Sequence, residues 1–426
     1  MSAYSLIVAL SLAQLAFAQS LVAQLDYGTF QGAYDVKYNI SYWQKIPYAA
    51  PPVGENRFRT PQPPLPIDDQ VYNSSQPFDM CHQRTVNGSE DCLYLGLYSR
   101  PWAEGQALRP VVVTFYGAGS VQGSASFTIP PPAYPILNVS SSSTTTTENN
   151  GGNDDDDMLF VYPNYRVNAF GFLPGRQTPS RTRTRVYWTR PWRFDRLANL
   201  TGCGGAQVSD SLRCLKQMDV QAIREASLQI SQSHKYTTTY FSWVPVIDGD
   251  FLPEPLSKAS TAPAKPWLVD MDTDMQAAFS MYNTHEGESF IPPGLGGAES
   301  AGDPPFNTSV ASFRQWAAGY LPGFSSADRR KLEELYPESG TTNTSPYNDT
   351  YTRAGLVYRD SVLACPAYWM TGTAPKGSWL GEYTIAPAKH ASDVYWDTPG
   401  VPPLKSGLEF VVDERGFSTA GLAKFE

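Results

Sequence analysis

Short apolar runs bounded by glycine, proline and asparagine recur along the chain, and one of them is Val111–Phe115. Four consecutive β-branched residues followed by an aromatic residue predict a short strand that is buried on both faces of a sheet. This run leads directly into Gly117, Ala118 and Gly119, whose small side chains let backbone N–H groups approach a bound group closely. Backbone donors exposed at the end of a buried strand are the geometry of an oxyanion hole.

The rest of the chain mixes predicted strands with predicted helices. Strands are predicted at Glu90–Tyr98 and Met158–Tyr162, because these segments carry alternating or continuous apolar residues. Helices are predicted, in chain order, at Ser211–Met218, Val220–Ser227, Val310–Gly319 and Ala327–Tyr336. This mixture of elements fits an α/β architecture.

One polar stretch interrupts the pattern. Residues 140–157 are a low-complexity run of serine, threonine, asparagine and aspartate, which cannot bury apolar area and is predicted to be a surface loop. The whole chain is 41% hydrophobic with a net charge of −9 and no basic stripe. That balance argues against nucleic acid or an anionic membrane surface as a partner.

The N-terminal residues 1–18 are predicted to be a secretory signal peptide. Their apolar core ends in a small-x-small site at Ala16–Ala18, although no lysine or arginine marks the start. A membrane anchor is the weaker interpretation because the apolar run is too short, and no other segment reaches the length of a membrane span. Eight Asn-x-Ser/Thr sites fit a secreted, glycosylated, extracellular protein: Asn39, Asn73, Asn87, Asn138, Asn199, Asn307, Asn343 and Asn348.

The five cysteines fit an oxidising compartment. Two short-range disulfides are predicted, Cys81–Cys92 and Cys203–Cys214, which leave Cys365 free. Each would close a short loop and stabilise the fold by about 2–3 kcal/mol through its effect on the unfolded chain.

Two N-terminal segments carry a resemblance to a known family. Ile46–Phe58 reads Ile-Pro-Tyr-Ala-Ala-Pro-Pro-Val-Gly-Glu-Asn-Arg-Phe, and Glu90–Tyr98 reads Glu-Asp-Cys-Leu-Tyr-Leu-Gly-Leu-Tyr. Both resemble signatures of the type B carboxylesterases, the family that includes the cholinesterases and fungal lipases. The resemblance implies one α/β-hydrolase domain over 19–426, with a central, mostly parallel sheet. It also implies hydrolysis of a small-molecule ester or lipid without a cofactor or metal.

The resemblance further implies part of a Ser-Glu-His catalytic triad. Asn283–Gly287 looks like the loop that presents the acid, which would be Glu286, with Glu288 as a competitor two residues on. Pro387–Val394 looks like the loop that carries the base, which would be His390. In this reading Gly117, Ala118 and Gly119 form the oxyanion loop, and Ala118 departs from the glycine usual there.

The family pattern breaks around 174–194. Where the family has the nucleophile strand, its Gly-x-Ser-x-Gly turn and two packing helices, Arg176–Phe194 reads RQTPSRTRTRVYWTRPWRF. An apparent deletion, from splicing or gene prediction, is a better explanation than a binding role for this arginine-rich run. Without the segment, Arg166 is expected to lose an acidic partner, whereas an Arg57–Glu90 pair can survive.

No replacement for the missing serine is evident. Ala298–Gly302 nearly spells the nucleophile turn around Ser300, but proline- and glycine-rich loop surrounds it where a strand and a helix are required. The expectation is therefore an esterase scaffold that folds poorly and is inactive as given. The alternative is a non-catalytic, cholinesterase-like binding or adhesion protein.

Overall fold

The computed structural model describes residues 21–67, 71–84, 86–102, 108–117, 119–125, 137, 158–174, 192–205, 207–231, 236–238, 243–247, 252, 255–259, 277–298, 305–371 and 377–392. The predictions for 1–18, 140–157, Ala118, Ser300 and most of 174–194 lie outside these residues. The described chain forms two compact units. The first holds the described residues before 178, those of 192–231 and those of 243–246, and the second holds the remainder.

The first unit is built on two sheets. Three strands pair in the order β1 (Val22–Leu25), β2 (Gly28–Gln31) and β5 (Val71–Asn73). The larger sheet has the order β3 (Ala33–Asp35), β4 (Ile40–Pro47), β6 (Tyr94–Ser99), β8 (Leu159–Pro163) and β7 (Val111–Val113). Its pairs are antiparallel except β7 and β8, which run parallel. The strands predicted from Glu90–Tyr98 and Met158–Tyr162 are confirmed as β6 and β8.

Strand β7 differs from the prediction of a strand buried on both faces. Within the described residues it pairs with β8 alone and is the last strand of its sheet. The alternating side chains of Val111, Val113 and Phe115 are 57%, 50% and 66% exposed, whereas Val112 packs against the core. That prediction is wrong because β7 lies at an edge, where period-2 alternation leaves one face uncovered.

Four helices complete the first unit: α1 (Asn168–Phe172), α2 (Trp192–Leu200), α3 (Val208–Gln217) and α4 (Val220–Ser231). Helix α4 packs against α1 and α2, around a core that includes Leu197, Leu215 and Trp243. The two predicted disulfides are present, and Cys365 is the free cysteine. Cys81 and Cys92 belong to the core beneath the larger sheet, while Cys203 belongs to the helical core.

The second unit contains a parallel pair of strands, β9 (Ala278–Asn283) and β12 (Ser378–Tyr383). A short hairpin pairs β10 (Gly340–Thr341) with β11 (Pro346–Tyr347). The helices of this unit are α5 (Leu256–Ala259), α6 (Val310–Tyr320), α7 (Ser326–Leu335), α8 (Thr350–Arg359) and α9 (Cys365–Thr371). Helix α9 packs on both β9 and β12, and α8 packs on a 3₁₀ turn at Glu286–Phe290. Across the described residues, no helix is long and apolar enough to cross a bilayer.

Candidate functional site

Glu286 and His390 meet at one end of the β9–β12 pair. Each residue lies a few positions beyond the end of its strand, and the carboxyl ends of parallel strands share one edge. His390 Nδ1 lies 2.7 Å from Glu286 Oε1. The Glu286 side chain is buried, whereas 46% of the His390 side chain is exposed. This arrangement lets the carboxylate orient the imidazole while part of the ring faces solvent.

Backbone and amide groups hold both members of the pair. The Asn283 backbone N–H donates to Glu286 Oε2 at 2.9 Å. The buried Asn283 side chain donates from Nδ2 to the carbonyl of Lys389 at 2.7 Å, next to His390. The N–H of His285 donates to the carbonyl of Ala388 at 2.8 Å. Two of these hydrogen bonds therefore join the acid loop to the histidine loop, and the third, from the Asn283 N–H, holds Glu286 within the acid loop.

Glu288, the competitor for the acid role, pairs with a different histidine. His285 Nδ1 lies 2.7 Å from Glu288 Oε1, and His285 Nε2 lies 2.6 Å from Thr344 Oγ1. The Glu288 carboxylate therefore bonds to His285 rather than to His390. This second histidine–carboxylate pair was not identified from the sequence, where its only signal is the i,i+3 spacing of His285 and Glu288.

The glycine-rich loop lies in the first unit and has a special backbone. Gly119 and Ser120 adopt left-handed conformations with φ of +61° and +62°. A side chain is costly at the first of these positions, which explains glycine there. The Ser120 carbonyl accepts from the Asn168 N–H at 2.7 Å. The Tyr165 hydroxyl donates to the Tyr116 carbonyl at 2.8 Å and, less closely, to the Gly117 carbonyl at 3.2 Å, which fixes the start of the loop to the segment after β8.

Hydrogen bonds also explain why Ser124 is a poor nucleophile candidate. It follows the glycine-rich loop, but it is fully buried and its hydroxyl bonds to Asn164 Oδ1 at 3.1 Å. A buried hydroxyl with its hydrogen bond already made cannot reach a substrate carbonyl.

The expected Arg57–Glu90 pair is confirmed. Arg57 Nε and Nη2 donate to Glu90 Oε1 and Oε2 at 2.5 and 2.8 Å, which makes a bidentate pair. Arg166 Nη2 donates to the Arg59 carbonyl at 2.6 Å, and its Nη1 is buried without a hydrogen-bond partner. Burial lowers the pKa of Arg166, and the nearby Tyr48 and Glu90 offset only part of this effect.

Comparison with known proteins identifies the family of this chain. A sequence model of the Carboxylesterase family matches residues 19–180 and 189–391. Juvenile hormone esterase of Tribolium castaneum is 33% identical over 161 residues, which are 36% of this chain and 23% of that protein. The medium-chain fatty acyl-CoA hydrolase precursor of Anas platyrhynchos is 37% identical over 124 residues, which are 24% and 22% of the two chains. The matched stretches thus span less than a quarter of these relatives.

A solved structure agrees with the sequence comparisons. The crystal structure of Aspergillus niger EstA aligns with a TM-score of 0.58 and 19% identity, over 83% of this chain and 74% of that chain. The alignment shows that the two share the α/β-hydrolase fold. Because the family model covers most of its length on both sides of the arginine-rich break, the chain belongs to the carboxylesterase family.

Proposed function

We propose that this chain derives from a secreted carboxylic ester hydrolase that uses a Ser-Glu-His mechanism, and that its nucleophile segment is absent. The observation that carries the proposal is the 2.7 Å contact between His390 Nδ1 and the buried Glu286 carboxylate. A carboxylate on Nδ1 selects the tautomer that leaves Nε2 able to take a proton from a serine hydroxyl. Glu286 is the orienting acid, His390 is the general base, and a small-molecule ester or lipid is the substrate.

The Gly117–Gly119 segment is proposed to be the oxyanion loop. N–H groups of the Gly117–Gly119 segment would stabilise the oxygen charge that develops when serine attacks the carbonyl carbon. The left-handed conformation of Gly119 and the anchored carbonyls of Gly117 and Ser120 support a loop held in one conformation. No metal or cofactor takes part in this chemistry.

Three observations support the absence of the nucleophile segment. The chain contains no Gly-x-Ser-x-Gly sequence. The family match is interrupted at 181–188, inside the arginine-rich break at 174–194. Strand β7 exposes its apolar face, as expected where a neighbouring strand and its covering helices are missing. Without a serine on a strand–turn–helix, this chain cannot form an acyl-enzyme.

The loss also affects stability. Omitting a central strand and two helices removes burial that would contribute tens of kcal/mol gross at about 25 cal/mol per Å². Net stabilities of domains are only about 5–15 kcal/mol. We therefore expect the chain as given to fold with low stability and to show no ester turnover.

The decisive experiment sequences the transcript across the codons for Phe172–Phe194. Recovery of a Gly-x-Ser-x-Gly segment supports the proposal, whereas an authentic join supports the non-catalytic binding or adhesion protein. At the protein level, a fluorophosphonate probe should label the restored chain but not the 426-residue chain. A His390→Ala variant of the restored chain is the matched control and should lose labelling. Ester turnover by the purified 426-residue chain would refute the missing-nucleophile mechanism.

The exposure of the Asn-x-Ser/Thr sites supports the proposed secretion. Seven of the eight Asn-x-Ser/Thr asparagines lie in the described residues, and all seven side chains are exposed. Exposure is what a glycan requires on a folded surface. Protein secreted from a eukaryotic host should therefore lose mass on treatment with an N-glycosidase, and its N-terminus should begin at Gln19. Retention of residues 1–18 without any glycan would contradict secretion.

A further inference from the structure

Thr284 lies between Asn283 and His285, the two residues whose hydrogen bonds join the acid loop to the histidine loop. It directly follows the end of β9 and is fully buried. A buried hydroxyl that finds no hydrogen-bond partner lowers the stability of the fold. The partners of Thr284 therefore show which parts of the second unit this residue joins.

All three polar groups of Thr284 are hydrogen-bonded within the second unit. Its N–H donates to the Tyr383 carbonyl at 3.1 Å. Its hydroxyl donates to Glu382 Oε1 at 2.8 Å, with the Tyr383 carbonyl as a more distant acceptor at 3.2 Å. Its carbonyl accepts from Arg359 Nη1 at 3.1 Å. Strand β12 and the end of α8 thus both hold the acid loop at Thr284.

The Glu382 carboxylate is itself held in place. Only 10% of its side chain is exposed, and it accepts hydrogen bonds from the Tyr282 hydroxyl at 3.3 Å and from the side-chain amide of Asn343. Arg359 supplies the opposite charge, with its Nη1 3.8 Å from Glu382 Oε1. A buried charge that is paired and hydrogen-bonded keeps one position, because a displacement would cost it a partner. Glu382 is therefore a fixed acceptor for the Thr284 hydroxyl.

The anchored backbone of Thr284 bears on the acid–base pair through its two neighbours in the chain. Asn283 on one side bonds to Glu286 and to the histidine loop, and His285 on the other side bonds to the histidine loop. A shift of Thr284 would displace both neighbours, because each is joined to it by a planar peptide unit. The 2.7 Å contact between Glu286 and His390 would then lengthen and weaken.

We propose that Thr284 is a positioning residue of the acid–base pair, an inference that rests on the roles of Glu286 and His390 in the proposed function. The Thr284 hydroxyl, held by Glu382, keeps the acid loop where the Glu286 carboxylate selects the Nδ1–H tautomer of His390. Thr284 itself does not touch the reacting atoms.

The test is the tautomer of His390 in the purified full chain, measured by ¹⁵N spectra of histidine-labelled protein in mildly alkaline buffer. The chain has four histidines, and His390→Gln identifies the signals of His390. The wild type should show mostly the Nδ1–H tautomer. Thr284→Val keeps the shape of the side chain and removes the hydroxyl. It should lower the ratio of the Nδ1–H to the Nε2–H tautomer by about two- to tenfold, the range that one hydrogen bond of ordinary net strength is worth.

Three other variants separate positioning from a general loss of stability. Thr284→Ser keeps the hydroxyl and should keep the tautomer ratio. Thr350→Val is the matched control, because it also removes a buried threonine hydroxyl, which donates to the Thr308 carbonyl at 2.7 Å. It should lower the urea midpoint about as much as Thr284→Val does and leave the ratio unchanged. Glu382→Gln should lower the ratio less than Thr284→Val does, because the Tyr383 carbonyl can still accept from the hydroxyl.

The outcomes distinguish this proposal from the proposed function. A ratio that is the same in Thr284→Val and in the wild type overturns the positioning role and leaves the Glu286–His390 pair intact. An equal fall of the ratio in Thr350→Val also overturns it, because the tautomer then follows stability alone. If Thr284→Val does not fold, an unchanged ratio in Glu382→Gln overturns the proposal. A wild type without a preferred Nδ1–H tautomer overturns the pair itself, and the proposed mechanism with it.

Discussion

The buried Arg57–Glu90 pair offers a sharp test of how the first unit is stabilised. In Glu90→Gln the shape of the side chain is kept and its charge is removed. The Arg57 cation then remains buried without a counter-ion. Removing one partner of a buried pair typically costs about 3–5 kcal/mol. The two bonds from Arg57 to Glu90 lead to the same range, since each charge-assisted bond is worth about 1.5–3 kcal/mol.

The assay is urea unfolding followed by tryptophan fluorescence. The matched control is Glu333→Gln, which breaks the exposed Arg314–Glu333 pair and should cost no more than about 1 kcal/mol. The Arg57→Met change should cost less in the Glu90→Gln background than in the wild type, because the uncompensated charge is then gone. If Glu90→Gln lowers the free energy of unfolding no more than Glu333→Gln does, the Arg57–Glu90 pair does not stabilise the first unit in the way inferred from its geometry.

Three further predictions follow from individual side chains. Because burial lowers the pKa of His82, the unfolded chain binds a proton that the folded chain does not as pH falls below about 6.5, so stability declines there. Urea melts between pH 5 and 7 should show that decline, and His82→Gln should flatten it. Burial raises the pKa of the free Cys365 thiol, so iodoacetamide should alkylate it slowly in native protein at pH 7.5 and fast in urea, as mass spectrometry can follow. Asn283→Ala removes the bond to the Lys389 carbonyl. The ¹⁵N spectra of the imidazole should then show that His390 loses its preference for the Nδ1–H tautomer. Unchanged chemical shifts of the ring nitrogens would assign Asn283 a purely structural role.

Local patterns were sufficient for most elements of the fold. The predicted helix at Val220–Ser227 is α4, which extends to Ser231, and the strands at β6 and β8 lie where alternation places them. Both disulfides follow from short sequence separation, because a short loop brings the two sulfurs together whatever the rest of the chain does. These features depend on residues that are close in sequence, which is why they could be predicted from the sequence.

The candidate site was predicted from motifs rather than from physical pattern. Glu286 and His390 lie 104 positions apart, and only the parallel pairing of β9 with β12 brings them together. The period-2 pattern of a strand does not indicate which other strand it pairs with. The His285–Glu288 pair was missed for a related reason, since a 3₁₀ turn must form before the i,i+3 spacing brings the two side chains into contact.

Strand β7 shows where local pattern misleads, and it yields a last prediction. A run of β-branched residues predicts a strand, but burial on both faces depends on what covers it. Val111, Val113 and Phe115 present a stripe of exposed apolar side chains on a strand paired with β8 alone in the described structure. Such an edge favours pairing with other chains.

Val113→Lys should therefore reduce concentration-dependent self-association of the 426-residue chain in light scattering, because a lysine on an edge strand opposes strand addition. Leu335→Lys adds the same charge at another exposed apolar residue, at the end of α7, and should have a smaller effect. In a chain with the nucleophile segment restored, the new strand and its helices would cover Val113, and the lysine would bury a charge and destabilise the fold. Val113→Lys should thus reduce the self-association of the chain as given and lower the stability of the restored chain. Equal effects in both would refute the inference that β7 is exposed because its neighbour is missing.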